Sequence, residues 1–311
     1  MMRILLASPR GFCAGVNRAI ETLREALQKF GRPMYVYHEI VHNRWVVEEF
    51  QAKGAVFVDT LEEVPVGSCL MYSAHGVSPE VREKAAEMGL RTIDATCPLV
   101  ARIHAQARQF AEEGLEILLL GHRGHDEIVG IMGEAPERIQ ILSRVEDARK
   151  ISVPNPEKVA CLTQTTFSIE EMRRILAVLQ ERFPKLRQPP QGSICYATSN
   201  RQQAVRELAS QAERVLVVGS PNSSNSRRLQ ELARQQGVEA YLLDGAEELR
   251  EEWLDGVETV LITAGASAPE TVVRSILAFL QEKYHAEVET VEVCRESLQF
   301  PIPDLSEKKY S

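Results

Sequence analysis

The sequence has no pair of cysteines at the two-residue spacing of a zinc knuckle or a redox disulfide. Six cysteines stand singly at 13, 69, 97, 161, 195 and 294, which removes the tight frameworks of structural zinc sites and stapled secreted domains. No apolar run approaches the roughly 20 residues of a membrane-spanning helix. "MMRILLASPRGF" lacks the long apolar core and small-residue cleavage site of a signal peptide. With no membrane partner, the expectation is a soluble, cytoplasmic enzyme. There is also no basic tract: Lys and Arg number 36 against 44 Asp and Glu, for a formal charge of -8. The charges mix on helical faces such as "EVREKAAEMG", so nucleic acid is not the expected partner. Neither a Walker loop nor GxGxxG occurs, so no nucleotide cradle is indicated. An anionic ligand must therefore be held by a local set of donors.

What is present is an alternation of apolar runs and helical patterns along nearly the whole of the 311 residues. "VLVVGS" followed by "NSRRLQELARQQG" is one instance, and this is the pattern of βα units on parallel sheets. The expected class is α/β. Cys13 follows "RILLAS", Cys97 follows "RTIDAT" and Cys195 closes "QGSIC", and each then enters a helical pattern. Two further polar turns lie in each third of the chain. This recurrence predicts three small parallel-sheet α/β domains in pseudo-threefold arrangement around a central site. Their boundaries are 14–96, 97–193 and 194–285, with residues 1–13 lent to the third as a strand and 286–311 left as a C-terminal strand and tail.

Ligands of open parallel sheets bind beyond the carboxyl ends of strands, where helix N-termini present free amides. Three cysteines from three such turns can meet, and three thiolates leave one ligand position of a metal or cluster open to substrate. The residues alone leave an iron-sulfur cluster, zinc or unrelated buried cysteines all open. Cys69, Cys161 and Cys294 sit in apolar strand patterns and read as buried filler.

The other turns carry His42, His75, His122, His125, Glu127, Thr165, Thr166, Asn222, Ser223, Ser224, Asn225, Ser226 and Ser267. Neutral donors and histidines at helix N-termini suit a diphosphate. Any one of the serines or asparagines alone reads more readily as a helix cap than as a ligand. Glu127, flanked by His in "GHRGHDEIVG", is a candidate general acid or a first-turn glutamate favoured by the helix dipole. His38 and His104 fall in a strand pattern and mid-helix and read as structural.

Taken in order, "GFCAGVNRAI", "EIVHN", "SAHGVSP", "DATCPLV", "GHRGHDE", "TQTTFS", "ICYATSNRQ", "GSPNSSNSRRL" and "TAGASAP" closely resemble the IspH/LytB family of 4-hydroxy-3-methylbut-2-enyl diphosphate reductases, over about residues 1 to 270. The resemblance implies an oxidoreductase of the non-mevalonate isoprenoid pathway with a 4Fe-4S cluster. It assigns cluster ligation to Cys13, Cys97 and Cys195, and diphosphate binding to His42, His75, His125, Ser223, Ser224, Asn225 and Ser267. Proton delivery falls to Glu127 with Thr165, itself also substrate-binding, and Thr166. It implies an allylic diphosphate substrate and an electron-donor protein of ferredoxin or flavodoxin type. The family usually has proline where this chain has Asp126, whose carboxylate is expected to face solvent. An iron-sulfur hydro-lyase and a non-catalytic iron-sulfur anion sensor are the rival readings.

Overall fold

Buried strands of a parallel sheet read as continuous apolar runs because both faces are covered. "RILLAS" forms β1 (Arg3–Ser8), and the amphipathic stretch after Cys13 forms α1 (Ala14–Phe30). The computed structural model describes residues 2–189 and 192–306. Next come β2 (Met34–Tyr37), α2 (Arg44–Ala52), β3 (Ala55–Val58), β4 (Cys69–Tyr72), α3 (Pro79–Glu87) and β5 (Arg91–Asp94). The middle of the chain gives α4 (Pro98–Glu112), β6 (Glu116–Leu120), α5 (Asp126–Met132), β7 (Ile139–Leu142), α6 (Val145–Lys150), β8 (Val159–Thr163) and α7 (Ile169–Arg182). The last third gives α8 (Tyr196–Leu208), β9 (Arg214–Val218), α9 (Ser224–Gln235), β10 (Glu239–Leu243), β11 (Thr259–Ala264), α10 (Glu270–Tyr284) and β12 (Glu287–Glu292).

The strands form three sheets, ordered β10-β9-β11-β1-β12, β3-β2-β4-β5 and β7-β6-β8. Every strand pairing is parallel. The fold is α/β, with three small parallel-sheet regions as the sequence implies. β1 does join the last sheet, pairing with β11 on one side and β12 on the other. The C-terminal run expected as a strand and tail supplies β12; residues 307–311 of that expectation lie outside the described residues.

Period-two alternation sorts the side chains. In the five-stranded sheet Ile4, Leu6, Leu216, Val260 and Ile262 pack on one face with Val273, Ile276 and Leu280 of α10. Leu5, Ala7, Val215, Val217 and Leu261 pack on the other with α8 and α9. The three-stranded sheet repeats this: Ile117, Leu119 and Leu162 meet α4 and α5, while Leu118, Leu120 and Cys161 meet α6 and α7. Covering both faces leaves the strand ends and their turns as the places for polar chemistry.

One expectation fails locally. "QGSIC" is not a strand: residues 192–195 are irregular, and Gln191 lies outside the described residues. Upstream, Arg187 forms an isolated parallel bridge to Ala160. Pro189 brings no amide donor to extend a ladder beyond that bridge.

The described chain forms two compact units. One holds the residues up to Asn17, Val41–Glu49 and Tyr196–Gln299; the other holds Arg18–Ile40, Phe50–Cys195 and the residues from Phe300 on. The five-stranded sheet belongs to the first, the other two sheets to the second. His42 belongs to the first unit although β2 precedes it closely in sequence. Its carbonyl accepts from Ser267 Oγ at 2.9 Å, and the Arg44 amide donates to Ser220 Oγ at 3.0 Å.

Candidate active site

Each candidate cysteine immediately precedes the first residue of a helix: Ala14, Pro98 or Tyr196. All three are half-buried, neither filler nor surface. One hydrogen bond recurs at all three. The Cys13 amide donates to Ala266 O at 3.2 Å, the Cys97 amide to Ala74 O at 3.0 Å and the Cys195 amide to Thr165 O at 3.1 Å. Each acceptor lies two residues beyond the end of a strand, respectively β11, β4 and β8. Each cysteine turn is thus tied to a polar turn, the one carrying Ser267, His75 or Thr165 itself. Gly11 makes the first of these turns possible, at φ +66, where a Cβ would also sit 3.2 Å from Ala268 O.

In the second unit, Glu127 is 2% exposed, on the first turn of α5. Its Oε1 accepts from the Thr165 amide at 2.6 Å and its Oε2 from the Thr165 hydroxyl at 2.7 Å. Thr165 therefore joins Glu127 to the Cys195 turn through three of its own polar atoms. The His125 ring caps α5, with Nδ1 accepting from the Glu127 amide at 3.1 Å. An accepting Nδ1 puts a neutral imidazole's proton on Nε2. The His75 ring meets that of His125 edge to face, centroids 5.7 Å apart. Gln164 orders the neighbouring turn, accepting from the His122 amide at 3.1 Å and donating to Thr166 Oγ1 at 3.0 Å.

Asp126 does not face solvent. It lies 2.8 Å from His38 Nδ1 and 3.8 Å from His75 Nδ1. His38 is not a strand filler either: it follows β2 at φ 57, where its ring leaves the ladder and reaches Asp126. Hydrogen bonding to Asp126 raises the His38 pKa, against the opposing effect of burial. The sequence signal was the aspartate itself, standing where a proline was usual. His104, in contrast, is the buried structural residue expected, with Nδ1 2.6 Å from Glu134.

In the first unit, Ser223, Ser224, Asn225 and Ser267 are all buried. Ser223 caps α9, its Oγ accepting from the Ser226 amide at 3.3 Å and the Ser226 hydroxyl at 3.0 Å. Ser267 Oγ lies 3.3 Å from Ser223 Oγ. Asn225 Oδ1 accepts from the Ala266 amide at 3.2 Å, and Ala266 is the residue that holds Cys13. The cap reading of Ser223 holds, and through Asn225 and Ala266 the start of α9 is also joined to the turn that holds Cys13. Tyr196, which sequence reasoning missed, accepts from the Ala14 amide at 3.1 Å. Burial pushes its phenol up to about 12 despite that N–H, so it stays neutral.

The remaining cysteines separate from these. Cys161 is buried, and burial pushes its thiol up to about 12. Burial also raises Cys69 and Cys294, which are half-buried and not fully inside as expected.

Residues 4–281 match the LytB protein family. The chain belongs to that family. It is 52% identical over 302 residues, 97% of this chain and 95% of the relative, to the 4-hydroxy-3-methylbut-2-enyl diphosphate reductase of Rhodopirellula baltica. It is 53% identical over 302 residues, 97% of this chain and 89% of the relative, to the enzyme of the same name from Acidothermus cellulolyticus. The solved E-1-hydroxy-2-methyl-but-2-enyl-4-diphosphate reductase from Plasmodium falciparum superposes with a TM-score of 0.94 at 37% identity, over 99% of this chain and 96% of that one. This LytB-family chain is an oxidoreductase. No helix among the described residues is long and apolar enough to cross a membrane.

Proposed function

We propose that this LytB-family chain reduces 4-hydroxy-3-methylbut-2-enyl diphosphate to isopentenyl and dimethylallyl diphosphates, using a 4Fe-4S cluster held by Cys13, Cys97 and Cys195. The observation that carries the reading is the amide-to-carbonyl hydrogen bond repeated at the three cysteine turns. The donor set fits such a cluster. Three half-buried thiols each sit just before a helix, and a set of three leaves a position for substrate. The same reading divides the chain into domains 14–96, 97–193 and 194–285, with residues 1–13 completing the last.

For each product, two electrons and two protons are taken up and the allylic hydroxyl leaves as water. When bound, the cluster supplies the electrons and an iron open to the substrate hydroxyl. Glu127 holds a proton on a carboxyl oxygen and gives it to the departing oxygen. Thr165 Oγ1, a donor to the carboxylate at 2.7 Å, turns to accept when Oε2 carries the proton, since a hydroxyl can do either. The contact thereby keeps Glu127 oriented through both states. Thr166 Oγ1, held by Gln164, supports proton delivery from the adjoining turn. His42, His75 and His125, with Ser223, Ser224, Asn225 and Ser267, bind the diphosphate through ring N–H, hydroxyl and amide donors. Reducing equivalents come from a ferredoxin- or flavodoxin-type protein in the cytoplasm.

The test is electron stoichiometry with a chemical reductant under anaerobic conditions. The reading expects two electrons consumed per diphosphate product. Turnover without net electron consumption would indicate a hydro-lyase, and ligand binding without turnover a sensor; either overturns it.

A further inference from the structure

The C-terminal residues after β12 carry no sequence motif, yet they supply partners to two buried or half-buried guanidinium groups. Resting on the cluster reading above, we propose that this segment positions two of the cysteine turns, Glu296 acting through Arg201 on the Cys13 turn and Pro301 acting through Arg18 on the Cys97 turn.

In the first unit, Arg201 of α8 is 0% exposed. Its Nη2 donates to Gly11 O at 2.6 Å, two residues before Cys13, and its Nη1 donates to Ala197 O at 3.0 Å. The carboxylate facing this buried charge is Glu296, with Oε1 2.9 Å from Nη1 and Oε2 3.4 Å from Nη2. Asn200 Nδ2 donates to the same Oε1 at 3.0 Å. The Arg201 Nε makes no hydrogen bond, so the orientation of the guanidinium depends on Glu296 and the two carbonyls. A buried guanidinium without its carboxylate is driven toward water, and here it would take the Gly11 carbonyl contact with it. Gly11 is the left-handed residue on which the turn pivots, so losing that anchor loosens Cys13 directly.

In the second unit, Arg18 of α1 repeats the device with a carbonyl in place of the carboxylate. Its Nη1 donates to Thr96 O at 2.9 Å, the residue immediately before Cys97, and its Nε donates to Pro301 O at 2.9 Å. The planar fork makes the two bonds in fixed relation, which a lysine ammonium cannot reproduce. Lys29 Nζ, on the same helix, donates to Leu305 O at 2.6 Å, and Leu305 is buried. These contacts hold the tail against α1. Glu296 and Pro301 are positioning residues: neither is assigned to substrate or cluster.

The test uses the full chain, metal-free and reconstituted, with E296Q, E296D, R18K and the control E289Q. Glu289 pairs with Arg3 on the exposed side of the same C-terminal region and touches no cysteine turn. In the metal-free protein, E296Q is expected to speed amide hydrogen exchange at Gly11, Cys13 and Ala14, and R18K to speed it at Cys97. In the reconstituted protein, both should lose iron to a chelator about tenfold faster, the usual scale for removing a group that orients a metal ligand. E296D should restore part of the retention, and E289Q should match the parent in both measurements. Wild-type exchange and retention in E296Q would overturn the proposal, as would equal loosening in E289Q. Because the exchange readout needs no metal, loosened turns in a chain that binds no iron would sink the cluster reading and leave the positioning intact.

Discussion

At the scale of single residues, Thr165 is the hub of the proposed proton-delivery site, since its amide and hydroxyl hold Glu127 and its carbonyl holds the Cys195 amide. Replacing Thr165 by Val removes only the hydroxyl. T165V is expected to lower steady-state turnover about 100-fold, the lower range for misplacing a general acid, while T165S keeps most of it. Equal loss in both would point to packing as the cause. E127Q, which cannot deliver a proton, should lose at least as much as T165V; full turnover in E127Q would remove it from the proton path. Asp126 and His38 make a separate, pH-dependent prediction. The His38 pKa is raised above 6.5, so the pair stabilises the fold fully below about pH 6.5, where the unfolded histidine is also charged. That contribution is lost as pH rises through the folded-state value. H38N, which tolerates the left-handed backbone, should cost on the order of 1 kcal/mol or less at pH 6. At pH 9 the cost should shrink, as read by denaturant unfolding; a cost that grows with pH would reverse the assignment. The Glu127 turn stood out in the sequence because two histidines, His122 and His125, shortly precede the glutamate. His38 was not, because its partner lies in another βα unit and the residues around it alternate like a strand.

At the scale of elements, the strands were legible for a physical reason. Sheets covered on both faces need unbroken apolar runs, and "EILLL", "VACLT" and "TVLITA" supply them. The turn before α8 was misread because "GSIC" has strand composition, yet residues 192–195 join no ladder. Its cysteine donates its amide hydrogen bond to the Thr165 carbonyl instead. The turn before α9 shows a second kind of constraint, close approach. A Cβ on Gly265 would lie 2.0 Å from Ser226 Oγ, and one on Gly219 would lie 2.1 Å from the same atom. Ser226 is fully buried and bonded to Ser223, so it has little room to yield. G265A should therefore destabilise by about 1–3 kcal/mol, the range for overpacking a tight site, and weaken diphosphate binding. Removing the obstructing side chain in a G265A, S226G double variant should recover part of the stability, measured by thermal unfolding. No recovery would mean that the glycine answers to something other than Ser226.

At the scale of the whole molecule, membership of the LytB family fixes the class of reaction, while the arrangement within each unit explains how an ordinary α/β frame carries it. The three sheets repeat one local solution, a cysteine before a helix, held by the carbonyl two residues beyond the end of a strand. That recurrence was visible in the sequence through the spacing of the three cysteines among their apolar runs. The C-terminal segment was not, because its contribution is a set of long-range partners, Glu296 for Arg201 and Pro301 for Arg18, separated by 95 positions in the first case. The most direct test of the central claim is an anaerobic count of iron and sulfide per chain after reconstitution, across single Cys-to-Ser variants at all six cysteines. C13S, C97S and C195S are each expected to lose most of the bound iron and the visible absorbance of the cluster, while C69S, C161S and C294S keep parent levels whenever they fold. Parent-level iron in C13S, or loss in C294S equal to that in C97S, would contradict the account.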